Sequence, residues 1–166
     1  MARNIQYVTF YSENELFGVD IRVVNEVNPL SNIMPVPLSD PHIKGLVNIR
    51  GQVVLVIDIA VIFGKAARPA GTASHIVIMK TVQDFARVRG IGSEYDTEAF
   101  SDKPVGFFAD RIGDTVVVSE EMIEKPTQYL DRGYSKYIIG VVNLGGRLLI
   151  LLDPVKILWF NEDGFL

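Results

Sequence analysis

Two aspartates are the first candidates for chemistry, because each directly follows a strongly apolar run. Asp58 comes after Val53–Ile57, and Asp153 comes after Leu148–Leu152. A pair of carboxylates held in one cleft could act as general acid and general base. The two aspartates, however, occupy equivalent places in an internal repeat, and a carboxylate at the start of a helix accepts backbone N–H bonds. Duplication therefore favours two capping residues over one catalytic pair.

Other catalytic or ligand-binding groups are sparse. The chain has no cysteine and two histidines, His42 and His75, which lie on different predicted strands or at their edges. No cluster of His, Asp and Glu has the spacing of a metal site. Gly90 and Gly92 form a Gly-x-Gly, but the strand and helix of a phosphate-binding loop do not flank it. These observations predict a non-enzymatic protein with no catalytic residue, metal or cofactor.

The strongest pattern is an internal repeat, in which residues 42–63 align without a gap to residues 137–158 at an offset of 95. The copies read HIKGLVNIRGQVVLVIDIAVIF and YIIGVVNLGGRLLILLDPVKIL. The identical residues are Ile43, Gly45, Val47, Asn48, Gly51, Asp58 and Ile62, which match Ile138, Gly140, Val142, Asn143, Gly146, Asp153 and Ile157. Glycine, asparagine and aspartate at fixed spacing specify similar turns, not only similar hydrophobicity. Two copies are too few for a solenoid and suit two similar small barrels.

Short strand patterns dominate the rest of the chain. Ile5–Tyr11 and Leu16–Ile21 predict an N-terminal hairpin, and each copy of the repeat predicts another. Further apolar runs that suit strands are His75–Lys80, Val105–Ala109 and Thr115–Val118. The helical patterns are short and lie at 58–63, 119–123 and 153–160. We therefore predict an all-β fold with short helices, including one at the C-terminus.

The composition indicates a folded protein that does not bind nucleic acid over a broad surface. Hydrophobic residues make up 48% of the chain, and the net charge is -4. Broad contact with a phosphate backbone requires clustered Lys and Arg, which this balance does not provide. Residues 1–15 lack the basic and apolar regions of a signal peptide, and every apolar stretch is far shorter than the roughly 20 residues that span a bilayer. We expect a cytoplasmic protein without direct membrane insertion.

Two segments do not follow the strand pattern. Asp84–Lys103 contains glycines and mixed charges and ends before Pro104, so we expect a long exposed excursion between two strands. The C-terminal apolar side chains could pack on a barrel or on a partner: Trp159, Phe160, Phe165 and Leu166.

Several motifs resemble those of the CheW-like domain family and occur in the family's order. GVDIRVVNEV at 18–27 precedes PVP at 35–37, and IKGLVNIRG at 43–51 is the most specific match. VGFFADRI at 105–112 and the second repeat copy complete the resemblance, which covers roughly residues 5–160. It implies one domain, 1–166, made of two intertwined five-stranded SH3-like barrels, with roughly residues 75–145 in the second barrel.

The resemblance also implies a role and a set of contact residues. CheW-like proteins bridge the cytoplasmic tips of chemoreceptors and the regulatory domain of a CheA-like histidine kinase, without catalysis of their own. We therefore expect a chemotaxis adaptor located at membrane-associated receptor arrays. The partner-binding residues that the resemblance implies are Val24, Glu26, Val27, Gly45, Asn48, Ile49, Arg50, Phe107 and Gly140.

Some of these residues have a more specific expectation. Val24, Glu26 and Val27 match the kinase-facing region of the family, and Phe107 would form a wall of a receptor groove between the barrels. The family signature linked to both receptor and kinase contact contains Gly45, Asn48, Ile49 and Arg50, and Gly140 is the equivalent of Gly45 in the second copy. The valines could instead be simple core residues. An exposed apolar pair beside a carboxylate would suit a small docking patch.

Arg50 has the strongest physical support as a functional residue. It lies at a predicted hairpin tip beside Gly51, and the second copy has Gly145 at the same place, so the fold does not require the charge. Arginine binds carboxylates with two parallel hydrogen bonds and is enriched at interface hot spots. Without the family resemblance, a solvated turn arginine with no role would be the simpler interpretation.

Three other functions are compatible with the sequence to different degrees. The same fold could scaffold another chemosensory pathway or a pilus-motility pathway. Barrel clefts can hold small ligands, which would require a polar pocket of suitable size. An oligonucleotide-binding barrel is disfavoured by the negative net charge and by aromatic residues that are not interleaved with basic ones.

Overall fold

The computed structural model describes residues 2–30, 32–68, 75–87, 94–126 and 134–159. Within these ranges strands dominate, and the expected all-β class is confirmed. The strands are β1 Asn4–Ser12, β2 Glu15–Asp20, β3 Val24–Pro29, β4 Ile43–Ile49, β5 Gln52–Ile57, β6 His75–Met79, β7 Val105–Ala109, β8 Arg111–Ile112, β9 Val116–Ser119, β10 Ile138–Leu144 and β11 Arg147–Leu152. The helices are α1 Ile59–Ile62, α2 Val82–Arg87 and α3 Pro154–Leu158.

The strands form two sheets. One has the order β10-β11-β2-β1-β8, with β9 also paired to β1, and the other has the order β3-β6-β7-β5-β4. Among the strands that the structure describes, neighbours are antiparallel except for two parallel pairs, β11 with β2 and β5 with β7. The expectation of five strands in each barrel therefore matches the second sheet, whereas the first has six strands.

Each sheet belongs to one compact unit. Unit 1 combines Met1–Ile21 with Arg111–Leu166, and unit 2 is Arg22–Asp110. The range 75–145, which we expected in one barrel, is instead divided after Asp110. The reason is strand pairing, because β6 and β7 pair within the sheet of unit 2, whereas β8 and β9 pair with β1.

Each unit contains one repeat copy, folded as a hairpin followed by a short helix. The copy in unit 2 forms β4, β5 and α1, and the copy in unit 1 forms β10, β11 and α3. The first strand of each hairpin has an irregularity at the same place, between Ile43 and Gly45 and between Ile138 and Gly140. The repeated sequence therefore specifies the same local distortion twice.

The repeated aspartates cap the helices, as the sequence predicts. Asp58 Oδ1 accepts a hydrogen bond from Ala60 N at 3.0 Å, and Asp153 Oδ1 accepts one from Lys156 N at 3.2 Å. Each bond satisfies an amide that the first turn of a helix leaves without a partner. Ser119 differs, since it precedes a short 3-10 turn without a capping bond from its side chain.

Buried apolar side chains hold each sheet together. In unit 1 one cluster consists of Tyr7, Leu16, Val118, Val142, Leu149 and Leu151. In unit 2 a matching cluster consists of Val47, Val54, Val56, Ile76, Ile78 and Phe108. Burying an aliphatic or aromatic side chain of this size contributes about 1.5–3 kcal/mol, so these clusters dominate the stability of the strands.

The sequence patterns do not predict β3. Its residues, Val24–Pro29, are all half-buried or exposed, and asparagine and proline are uncommon in strands. The segment is nevertheless a strand because it pairs with β6 at the edge of the sheet, where proline is tolerated.

The described parts of the excursion at 84–103 contain short helices and buried side chains, where we expected an exposed segment. Its first residues belong to α2, and a 3-10 turn follows at Thr97–Ala99. Phe85 and Phe100 are buried, and their ring centroids lie 4.6 Å apart. Residues 88–93 lie outside the described ranges, as do three of the C-terminal apolar residues, whereas Trp159 is described and 39% exposed.

We expect Gly45→Ala to destabilise the protein by about 2–4 kcal/mol, because a β-carbon would lie 2.3 Å from the Met34 carbonyl oxygen. Gly51→Ala is the matched control, since Gly51 also has a positive φ, of 83°, but has open space around it. Its expected loss is about 1 kcal/mol. Urea unfolding of both variants measures the difference, and equal losses would show that the close contact is unimportant.

We also expect the stability to depend on pH through His42. Burial lowers the pKa of this imidazole from the ordinary value of 6.5, and this effect outweighs the opposing attraction of Asp40. The unfolded chain therefore binds the proton more readily. The stability that the neutral His42 side chain contributes to the folded protein is complete above pH 6.5. It is lost as the pH falls toward the lower folded-state pKa. In the His42→Gln variant, the unfolding free energy should change less with pH in this interval than it does in the wild type. An unchanged slope would contradict the role of His42.

Candidate partner-binding surface

The turn between β4 and β5 is a tight two-residue turn with an arginine at its tip. Arg50 and Gly51 have φ angles of 52° and 83°, the positive values that the favoured hairpin turns require. Asn48 Oδ1 accepts a hydrogen bond from Gly51 N at 2.8 Å, which closes the turn. The sequence alone did not establish this turn type, because arginine rarely adopts a positive φ.

The second copy builds the same turn without an arginine. Gly145 and Gly146 have φ angles of 61° and 98°, and Asn143 Oδ1 accepts from Gly146 N at 2.8 Å. Glycine adopts these angles without steric penalty, whereas another residue pays about 1–2 kcal/mol. Unit 2 therefore has Arg50 at a position where glycine, as found in the equivalent turn of unit 1, would cause less backbone strain.

Arg50 connects the turn to β3. Its side chain is 74% exposed and forms an ion pair with Glu26, whose side chain is 24% exposed. β3 and β4 stand at opposite ends of the sheet order, so this ion pair links the two ends of the sheet. An exposed ion pair contributes only about 0–1 kcal/mol, which does not outweigh the backbone strain. The fold therefore gives no reason for an arginine here.

The neighbouring residues of β3 are accessible. Val24 and Glu26 are half-buried, and Val27 is 36% exposed. The core-valine alternative therefore does not describe Val27, and it describes Val24 only in part. We call the following set the hairpin surface: Val24, Glu26, Val27, Asn48 and Arg50.

The other expected contact residues lie beneath the surface or within the sheet. Gly45 is buried with a φ of 146°, and Gly140 is buried at the equivalent place in unit 1. Phe107 is 0% exposed in β7, so its side chain is inaccessible for direct contact. Ile49 is half-buried and packs against the apolar cluster of unit 2. Gly45, Ile49 and Phe107 belong to the scaffold of unit 2, which carries the hairpin surface, whereas Gly140 belongs to the scaffold of unit 1.

A buried charge cluster, not anticipated from the sequence, lies elsewhere in unit 2. Lys44 Nζ and an Arg68 guanidinium nitrogen each lie 3.7 Å from Asp58 Oδ2. Arg68 also pairs with Asp110 at 2.7 Å, and both cations lie over the ring of Phe108. Burial lowers the pKa of Lys44, more strongly than Asp58 raises it. The available sequence signal was a lysine at the position where the second repeat copy has Ile139.

The cluster serves to hold the chain in place. Lys44 Nζ also donates a hydrogen bond to the carbonyl of Arg68, so the segment after α1 is attached to β4. Two cations balance two carboxylates, which is the usual way for a protein to tolerate buried charge.

Reactive chemistry has little support in the described parts of the chain. There, no group of three or more His, Asp and Glu residues could hold a metal ion. A polar cleft of about 280 Å³ opens in unit 2 beside α2, but Thr81 and Asp84 on its wall are hydrogen-bonded to each other at 3.0 Å. Among the helices described, none is long and apolar enough to cross a bilayer.

Comparison with known proteins agrees with this architecture. The chemotaxis protein CheW of Treponema pallidum is 28% identical over 161 residues, covering 95% of this chain and 84% of the relative. CheW of Thermotoga maritima is 27% identical over 156 residues, covering 94% and 89%. The crystal structure of scaffolding protein TtCheW from Thermoanaerobacter tengcongensis has a similar fold, with a TM-score of 0.67, 23% identity, and coverage of 91% and 85%.

The family comparison covers almost the whole described fold. The model of the CheW-like domain matches residues 6–160, from β1 through α3. Both repeat copies and the hairpin surface lie inside this range. The chain therefore belongs to the CheW-like domain family.

Proposed function

We propose that this protein is a non-catalytic coupling protein of bacterial chemotaxis, which links the cytoplasmic tips of chemoreceptors to the regulatory domain of a CheA-like histidine kinase. Family membership over residues 6–160 supports this role, as do relatives named chemotaxis protein CheW. A related structure is described as a scaffolding protein. In this role the protein works at membrane-associated receptor arrays and needs no cofactor.

Arg50 is the single observation that carries the proposal. It is exposed, its backbone has an unfavourable positive φ, and the equivalent turn in unit 1 has a glycine. A residue that the fold does not need, retained at a position where it causes strain, is explained by contact with a partner. Arginine is also among the residues that most often dominate binding energy at interfaces.

The hairpin surface is the part of the molecule that we assign to kinase contact. Arg50 and Glu26 supply paired opposite charges, and Val27, whose side chain points to the other face of β3, supplies exposed apolar area at the same edge of the sheet. A complementary partner would place a carboxylate against Arg50, a basic group against Glu26 and an apolar side chain against Val27. Gly45, Ile49 and Phe107 contribute indirectly, by fixing the backbone of unit 2 that carries such contacts, and Gly140 does the same for the backbone of unit 1.

Arg50→Gly should separate partner binding from stability. Glycine relieves the positive φ and matches the second copy, so we expect the unfolding free energy to stay within about 1 kcal/mol of wild type. Binding to the purified kinase should weaken at least about tenfold, because a hot-spot side chain is lost. Calorimetric titration measures the binding, and wild-type affinity in this variant would remove Arg50 from the interface.

A charge exchange tests whether Glu26 and Arg50 contact the partner themselves. Arg50→Glu alone places two carboxylates together, whereas Arg50→Glu with Glu26→Arg restores an ion pair of reversed order. We expect both variants to bind the kinase weakly, because the charges of the partner are placed to match a positive charge at residue 50 and a negative charge at residue 26. Recovery in the double variant would mean that the pair acts only by holding the turn. Arg3→Gln, which removes an exposed ion pair in unit 1, is the control.

Affinity capture from the native cell tests the pathway. The coupling role predicts recovery of a chemoreceptor and a CheA-like kinase together, and loss of the kinase with Arg50→Glu. Recovery of pilus-motility components without a receptor or such a kinase would replace the chemotaxis assignment with another scaffold role.

A further inference from the structure

Two arginines meet one tyrosine at an exposed place in unit 1. Tyr11 of β1 pairs in register with Arg111 of β8, and the Arg111 guanidinium carbon lies 4.0 Å from the centre of the tyrosine ring. Arg147, the first residue of β11, approaches the same ring to 5.1 Å and donates a hydrogen bond to the tyrosine hydroxyl at 2.6 Å. Three different strands therefore bring these side chains together.

Neither arginine has a carboxylate partner in the described parts of the chain. Both arginines are exposed. Each guanidinium contacts the ring of Tyr11, and that of Arg147 also donates to the tyrosine hydroxyl. Other arginines pair with acids: Arg3 with Glu120, Arg22 with Glu94, Arg50 with Glu26 and Arg68 with Asp110. The positive charge at Tyr11 is therefore not neutralised within the described residues.

The tyrosine holds both guanidinium groups in place. A guanidinium over an aromatic face is attracted by the ring by about 0.5–1 kcal/mol at an exposed site. Such contact restricts a long side chain before any ligand arrives, so less conformational entropy is lost on binding. Arg147 uses one N–H on the hydroxyl, which leaves other donors of the two planar groups available.

The two repeat copies place their arginines differently. In unit 2 the arginine is at the turn and is neutralised by Glu26, whereas Gln52 begins the second strand. In unit 1 the turn is Gly145-Gly146, and Arg147 begins the second strand at the position equivalent to Gln52. The corresponding hairpin ends thus have different charge, mixed in unit 2 and positive in unit 1.

We propose that Tyr11, Arg111 and Arg147 form a carboxylate-binding site for an acidic segment of a protein partner. Guanidinium groups bind carboxylates through two parallel hydrogen bonds, and the preorganised pair presents two such groups together. An extended polyanion would need a wide basic surface, which a chain of net charge -4 does not supply. The site goes beyond the proposed coupling function, because it lies in unit 1 and does not depend on the hairpin surface.

Side-chain NMR of the intact 166-residue chain tests the site directly. The probe is a short capped peptide of alternating glutamate and glycine, and the controls are its glutamine counterpart and inorganic phosphate. We expect saturable shifts of the Arg111 and Arg147 Nε–Hε signals with the glutamate peptide and none with the glutamine peptide. The Arg50 signal, already paired with Glu26, should not move. Absence of saturable shifts would overturn the proposal, and equal binding of phosphate would replace it with a general anion site.

Variants supply an independent measurement. The double variant Arg111→Gln with Arg147→Gln should bind the glutamate peptide about tenfold more weakly or worse, because the charged donors are lost. Tyr11→Phe keeps the ring and both arginines, so it should weaken binding only about twofold. Wild-type affinity in the double variant would refute the site. Thermal unfolding of each variant confirms folding, and the wild-type titration remains decisive if the double variant is unstable.

Discussion

The close backbone approach at one glycine in each repeat copy is the constraint on which both sheets depend. At Gly45 the Met34 backbone comes near enough to exchange two hydrogen bonds with Leu46, at 2.7 and 2.8 Å. At Gly140 the Glu124 backbone exchanges two with Val141, at 2.8 and 2.9 Å. These bonds cover the outer edge of β4 and of β10, which would otherwise expose unpaired groups. A side chain at either glycine would occupy the space that the incoming backbone needs.

The duplicated scaffold explains why function can be sought in the differences between the copies. Both hairpins share the asparagine that closes the turn, the glycine at the second turn position, whose N–H donates to it, and the aspartate that caps the following helix. These residues have a local structural task in each unit, so their repetition requires no shared partner. Arg50 and Arg147 have no counterpart of the same type in the other copy. Each therefore gives its own hairpin a charge that the scaffold itself does not need.

Local chemistry made much of the fold predictable. Alternating and apolar runs marked most strands, and the two aspartates were correctly interpreted as helix caps because a carboxylate bonds to nearby amides whatever the distant packing. β3 was missed because a strand that pairs at a sheet edge has no fully buried face to leave a pattern. The buried lysine cluster was missed because Lys44, Arg68 and Asp110 are far apart in sequence. Likewise, the position of Arg50 at a turn was predictable, whereas its ion pair with Glu26 was not.

The sequence by itself determined the repeat, the positions of the two turns, the capping aspartates and the family, since all of these depend on residue types at short fixed spacing. Tertiary structure decided which strands share a sheet, and it divided the chain after Asp110 through long-range pairing that no local pattern encodes. It also decided that Phe107 is enclosed and that Arg50 pairs with Glu26. Exposure depends on what the rest of the chain packs against each side chain, and only the folded protein sets that.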